Sequence, residues 1–275
     1  MASYHRPMEL SEALVVLAGG DLVVIAGATD YYPAQVGRHN AHDILDLTAL
    51  DCLSGISSDD QHWHIGATAT WRDLMDTDLP PCFDGLKTAA RQIGGAQIQN
   101  TATIAGNLCN ASPAADGVPP LLSLEARVVL QGPSGRRELP LSEFIQGNRR
   151  TALAAGELLT EIFVPRALEQ GRSGFIKLGA RSYLVISIVM VAGWVILDRA
   201  GRIGRINLSV GACSEVAQRL EALEAALVGQ PLSGELVTPG YFAHLSPLDD
   251  HRGTAAYRLD AAVTLTRRLL ESLRP

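Results

Sequence analysis

Apolar positions along the chain follow helical spacing in some segments and form short continuous runs in others. Residues 8–18 carry apolar side chains at helical spacing, and Gly19 and Gly20 end this predicted helix. Residues 22–26 form an uninterrupted apolar run, which is typical of a strand buried on both faces in a parallel sheet. A turn, a short helix and a second strand follow, over 27–30, 32–36 and 43–47. This order predicts a small parallel α/β unit.

The pattern continues with strands, helices and one hairpin up to a polar segment at 166–172. Thr70 and Asp73 have the spacing of a capping box at a helix start. The other predicted elements are strands at 62–66, 126–130 and 159–164, helices at 86–93 and 119–124, and a turn at 132–135. We place a domain boundary in the polar segment, giving domains 1–168 and 169–275.

The second domain is predicted to have β-β-β-α-loop-α order. Strands at 187–197 and 203–212 are joined by a turn signal at 198–201. Two amphipathic helices follow, at 215–227 and 260–273.

Composition excludes several classes of protein. The chain has 275 residues, 47% hydrophobic and 19% charged, with a net charge of −6, as expected for a globular protein of up to two domains. Its arginines include only isolated pairs such as Arg149-Arg150, so nucleic-acid binding is not expected. No apolar leader is visible, and the mostly apolar, uncharged run at 183–197 is too short to span a bilayer. We therefore expect a cytoplasmic protein.

Known catalytic and metal-binding motifs are missing from the sequence. It contains no G-x-G, no Walker A motif and no G-x-S-x-G, and we identify no catalytic residue. The cysteines are isolated, and His39-Asn-Ala-His42 lacks further ligands, so no metal site is predicted.

The first of two small-residue loops connects the strand at 22–26 to the short helix after it. Ala26, Gly27, Ala28, Thr29 and Asp30 would let successive backbone N–H groups point at one anion. Such a cradle can hold a diphosphate without lysine or arginine. The alternative interpretation is an ordinary strand-to-helix turn.

The second loop lies in a nearly uncharged stretch, 94–116, rich in Gly, Ala, Asn, Ser and Thr. Thr103 and Asn107 can donate to phosphate or a ring carbonyl, Gly106 permits close backbone approach, and Asp116 can accept from ribose hydroxyls. The alternative is a capped, tightly packed buried turn.

The two loops together resemble the FAD-binding subunits of molybdenum hydroxylases. AGATD at 26–30 is similar to the family's A-G-G-T/H-D/S, and QIQNTATIAGNLCNASPAAD at 97–116 is similar to its longer second motif. Later segments, GELL at 156–159 and FIKLGARS at 175–182, also match the family's pattern. The chain departs from it at Ala28, Gln99 and Ala105. A methyl group at 28 or 105 is tolerated where φ is negative and costs about 1 kcal/mol where φ is positive.

The resemblance implies an α+β fold: a two-subdomain FAD-binding domain of the vanillyl-alcohol-oxidase type, then a small C-terminal domain with a three-stranded antiparallel sheet and helices. It implies noncovalent FAD, with Ala26 to Asp30 around the pyrophosphate. Thr103, Gly106 and Asn107 would contact the pyrophosphate or ribityl chain, Asp116 the ribose, Leu159 the isoalloxazine and Lys177 the flavin or its polar edge. Lys177 is one of only two lysines, the alternative being a surface lysine.

The function implied is electron transfer within a complex. A large partner would carry the molybdenum cofactor and a small partner the [2Fe–2S] clusters, and this FAD would pass electrons to an external acceptor, whether NAD, quinone or oxygen. Two alternatives stay open: a free-standing FAD-dependent oxidoreductase of the same superfamily, and a scaffold that has lost FAD.

Overall fold

The computed structural model describes residues 2–37 and 42–275. Up to residue 168 the chain contains ten strands and eight α-helices within the described residues. The strands are β1 (Tyr4–His5), β2 (Leu22–Ile25), β3 (Asp43–Asp46), β4 (Ile56–Ser58), β5 (His62–Gly66), β6 (Arg127–Gly132), β7 (Gly135–Pro140), β8 (Ile145–Gly147), β9 (Arg150–Thr151) and β10 (Leu158–Pro165). The helices are α1 (Leu10–Ala18), α2 (Tyr31–Ala34), α3 (Trp71–Asp76), α4 (Asp84–Ala90), α5 (Ala96–Gln99), α6 (Ile104–Asn110), α7 (Val118–Ser123) and α8 (Leu141–Phe144).

The first sheet is parallel, as the sequence predicts, with strand order β1-β3-β2. The prediction that the 22–26 run is buried on both faces is wrong. Strand β2 is an edge strand, and Val24 within it is 39% exposed. Among the described residues the sheet has three short strands, and Val24 borders a cavity instead of packing under a second layer.

The second sheet is antiparallel, with order β4-β5-β10-β6-β7. The predicted strand at 62–66 and the hairpin at 132–135 are confirmed. The capping box is also confirmed: Asp73 N donates to Thr70 Oγ1 at 3.1 Å, and Thr70 N donates to Asp73 Oδ2 at 2.8 Å. This box starts α3 and fixes Trp71, the first residue of that helix, inside the core of the N-terminal part.

The C-terminal part contains a four-stranded antiparallel sheet, so the expected three strands are one too few. Its elements are β11 (Arg172–Leu178), β12 (Val189–Leu197), β13 (Ile203–Gly211), β14 (Gln218–Arg219), α9 (Glu221–Leu227) and α10 (Ala255–Ser272).

The additional strand, β14, lies where the sequence predicts the first half of a helix at 215–227. Its backbone pairs with Ser209 and Val210. The Arg219 guanidinium then reaches Glu224 in two contacts of 2.7 Å. These contacts with β13 and α9 outweigh the local helical pattern, and the helix begins at Glu221.

Buried hydrogen bonds join the two parts of the chain. Ser209 Oγ donates to the Pro119 carbonyl at 2.6 Å, and Asn207 Nδ2 donates to the Ser123 carbonyl at 2.8 Å. Helix α7 is thereby fixed against β13. No helix within the described ranges is long and apolar enough to cross a membrane.

Candidate cofactor site

A cavity of about 570 Å³ opens between the β2–α2 loop and α6. The first small-residue loop lines it along its full length, from Ala26 to Asp30. Thr103, Gly106 and Asn107 of the second loop line it as well. The structure therefore brings eight of the eleven predicted site residues to one cavity, whose volume is in the range of small-molecule and cofactor sites.

Gly27 is the point at which the two loops touch. A Cβ atom at this position would lie 2.1 Å from the Thr101 carbonyl oxygen and 2.7 Å from the Ala102 Cα. Both neighbours are backbone atoms, which cannot rotate away. Only glycine allows this approach, so the shape of the cavity depends on Gly27.

The two alanines that depart from the family's motifs have different backbone conformations. Ala28 has a φ of +51°, in the left-handed region that favours glycine. Ala105 lies within α6 and is buried in the core, where alanine is the best helix former. The departure therefore carries strain at Ala28 and none at Ala105.

Helix α6 presents one face to the cavity, because Thr103, Asn107 and Asn110 all line it. Gly106 N donates to Thr103 Oγ1 at 3.0 Å, so the threonine caps the helix. A Cβ at Gly106 would lie 2.7 Å from that same oxygen. Asn107 Oδ1 accepts from Gly117 N at 3.3 Å, which ties the helix to the segment that follows it.

Trp71 is a cavity-lining residue that sequence reasoning missed. It is fully buried, and its indole N–H is the one buried side-chain polar atom without a hydrogen-bond partner in the part of the chain that the structure describes. An indole N–H can only donate, and leaving a buried donor unpaired costs about 1–3 kcal/mol. A cofactor oxygen that reached this N–H would satisfy it. The one signal in the sequence was its place directly after the Thr70 cap.

Arg149 is a second cavity-lining residue that sequence reasoning passed over. Its φ is +55°, and its backbone N–H donates to the Ala111 carbonyl at 3.1 Å. Ala111 also has a positive φ, of +46°. Two left-handed residues thus fix the turn after β8 against the end of α6. The sequence showed only an isolated arginine pair.

Asp116 and Lys177 form a buried ion pair with an Nζ–Oδ2 distance of 2.5 Å. Ser187 Oγ donates to the other carboxylate oxygen. Burial raises the pKa of Asp116, while the Lys177 charge and the Ser187 hydrogen bond oppose that rise. The lysine side chain is only 4% exposed, so the surface-lysine alternative is wrong.

These two residues do not line the cavity, and neither does Leu159, which is 4% exposed in the core of the N-terminal part. Asp116 nevertheless adjoins the cavity through Gly117. A Cβ on Gly117 would lie 2.4 Å from the Trp71 ring. The Gly117 N–H donates a hydrogen bond to Asn107 Oδ1. The ion pair is therefore one residue away from two residues that line the cavity.

Metal-binding side chains do not cluster in the described ranges: they contain no group of three or more His, Cys, Asp or Glu that could hold an ion. His39 lies outside the described residues.

Two families match consecutive parts of the chain. Residues 1–167 match the FAD binding domain in molybdopterin dehydrogenase, and residues 175–273 match the CO dehydrogenase flavoprotein C-terminal domain. The chain is 29% identical over 278 residues to the xanthine dehydrogenase FAD-binding subunit of Escherichia coli O157:H7, covering 98% of this chain and 94% of that one. It is 34% identical over 217 residues to the nicotinate dehydrogenase FAD-subunit of Eubacterium barkeri, covering 77% and 73%.

A solved structure supports the same assignment. One chain of reconstituted CO dehydrogenase from Oligotropha carboxidovorans superimposes with a TM-score of 0.91 at 26% identity, covering 99% of this chain and 97% of that chain. Fold and site thus define a flavoprotein subunit of an oxidoreductase. The chain belongs to the family of FAD-binding domains in molybdopterin dehydrogenases, and its cofactor is FAD. The resemblance and the α+β fold class inferred from the sequence are confirmed.

Proposed function

We propose that this chain is the FAD-binding electron-transfer subunit of a molybdenum hydroxylase complex. It receives electrons from iron–sulfur clusters on a small partner, which are reduced by a molybdenum-cofactor site on a large partner. An external acceptor then takes the electrons from the bound flavin. The observation that carries the proposal is the backbone contact of the two loops at Gly27, which shapes one cavity for a dinucleotide.

We assign the cofactor's diphosphate to the N–H groups of Ala26 to Asp30 and to Thr103, Gly106 and Asn107. These residues surround the cavity from both sides. Trp71 fits as a donor to a cofactor oxygen, because its N–H has no partner within the described residues.

The three predicted site residues that do not line the cavity are assigned to the parts of the cofactor on either side of the diphosphate. Asp116 would accept from the ribose of the adenosine half, and Lys177 and Leu159 would lie beside the flavin. Lys177 is neutralised by Asp116 at 2.5 Å, so the pair brings a dipole and no net charge to the cofactor. The Asp116 carboxylate needs Lys177 as its partner in either role, beside the ribose or beside the flavin, because an unpaired buried charge is unfavourable.

The bound flavin supplies the capacity to take up and release electrons. The chain's own residues bind the flavin and form its cavity. Gly27 and Thr103 fix the loops, and α6 covers one side of the cavity. We also propose a boundary at 168/169 between the two domains. A cytoplasmic location stays a prediction.

The test uses an affinity-tagged chain purified gently from the host that encodes it. We expect the purified material to contain molybdenum, iron and FAD. We also expect the substrate of the complex to bleach the flavin absorbance. A chain that purifies alone with FAD and is reduced directly by a small donor would favour the free-standing oxidoreductase. A colourless chain that binds no added FAD would favour the scaffold.

A further inference from the structure

The charges that line the cavity are few. Asp30 is its one carboxylate and Arg149 its one cation, among the described residues. The Arg149 guanidinium makes no ion pair or side-chain hydrogen bond within those residues. Most other arginines of the described ranges do, including its neighbour Arg150, which donates to the Gln146 carbonyl at 2.7 Å.

The backbone around Arg149 is built to hold this position. Its φ of +55° is unfavourable for any residue but glycine. Ala111, on the opposite side of the hydrogen bond, also has a positive φ, of +46°. The hydrogen bond between them, at 3.1 Å, fixes the turn to the end of α6. These two left-handed residues, joined by their hydrogen bond, hold the backbone of Arg149 at the edge of the cavity. Among the described residues its guanidinium has no partner.

The chemistry of the cofactor indicates the missing partner. In oxidised FAD the diphosphate is the only charged group, and it is a dianion. A cavity lined by Asp30 without a cation would repel it. A guanidinium can reach two phosphate oxygens at once through parallel N–H donors.

We infer that Arg149 is the cationic ligand of the cofactor's diphosphate, so that the loops do not hold this group with backbone N–H donors alone. The inference rests on the proposed FAD site. It amends the expectation from the sequence that no arginine is needed there.

The test measures dissociation constants of the apo chain for FAD, ADP and riboflavin, in wild type, Arg149→Met, Arg149→Lys and Arg150→Met. FAD and ADP affinity should each fall at least about tenfold in Arg149→Met, about 1.4 kcal/mol, while riboflavin affinity stays unchanged. Arg149→Lys should recover part of the loss, since an ammonium still attracts phosphate. Arg150→Met removes the same charge one residue away, from a side chain that does not line the cavity, and should leave all three affinities unchanged.

Salt provides an independent measure. Wild-type FAD affinity should weaken with rising salt more steeply than that of Arg149→Met. Equal FAD affinities in wild type and Arg149→Met would overturn the inference, and so would an equal loss for riboflavin, which would place the arginine at the flavin. A wild-type chain that binds no FAD would instead refute the proposed function.

Discussion

Glycine substitutions at the two alanines that depart from the family's motifs should differ: Ala105→Gly destabilises the chain, whereas Ala28→Gly does not. Ala28 has a φ of +51°, where a Cβ costs about 1–2 kcal/mol. Ala28→Gly removes this strain but adds about 0.4–1 kcal/mol of unfolded-chain entropy, so stability should rise by roughly 0–1.5 kcal/mol. Ala105 is helical and 3% exposed. Ala105→Gly therefore loses helix propensity and a buried methyl group, together about 1–2 kcal/mol.

The assay is calorimetric melting of the apo chain. At roughly 2–4 °C per kcal/mol, Ala28→Gly should leave the midpoint unchanged or raise it by up to about 6 °C. Ala105→Gly should lower the midpoint by about 2–8 °C. A clear drop for Ala28→Gly, equal to that of Ala105→Gly, would refute the left-handed conformation at Ala28.

Three further substitutions test the site and the C-terminal part. Lys177→Met should destabilise the chain by about 3–5 kcal/mol in urea, because it strands the Asp116 carboxylate, and adding Asp116→Asn should recover most of the loss; no recovery would mean that the pair is not coupled. Trp71→Phe removes the unpartnered N–H and should weaken FAD binding about tenfold by fluorescence titration; unchanged binding would exclude the indole as a donor. Burial raises the pKa of Asp250, but hydrogen bonds from Arg252 and Arg258 outweigh it and lower the pKa to about 2, from 3.8. A carboxyl whose pKa is lowered by folding stabilises the fold at pH values above its unfolded pKa. The stability difference between wild type and Asp250→Asn should therefore be constant above about pH 5 and shrink towards pH 2. A pH-independent difference would contradict the hydrogen bonds from Arg252 and Arg258.

Sequence patterns predicted the elements whose structure is determined by residues close together in the chain. The Thr70–Asp73 box, the strand at 62–66 and the hairpin at 132–135 agree with the structure because caps, alternation and turn glycines act within a few residues. Strand β14 was missed because its partner, β13, supplies the energy from elsewhere in the chain.

The site shows the same division. The two loops were recognisable because small residues in a fixed pattern follow from close backbone contact, as at Gly27. Trp71 and Arg149 reach the cavity from other segments, where the local signals, a helix cap and an arginine pair, do not point to a cofactor. The burial of Lys177 depends on Asp116, 61 residues away, and a single lysine gives no indication of its partner.

The most direct measurement is equilibrium titration of the apo chain with FAD, in wild type, Gly27→Ala and Gly20→Ala. A methyl at Gly27 would overlap the Thr101 carbonyl at 2.1 Å, whereas one at Gly20 meets nothing within 4 Å. We predict one noncovalent FAD per wild-type chain and the same affinity in Gly20→Ala. Overpacking of this kind costs about 1–3 kcal/mol, so Gly27→Ala should bind FAD about ten- to a hundredfold more weakly. Equal affinity in all three proteins, or FMN in place of FAD, would contradict a dinucleotide site formed by the contact of these two loops.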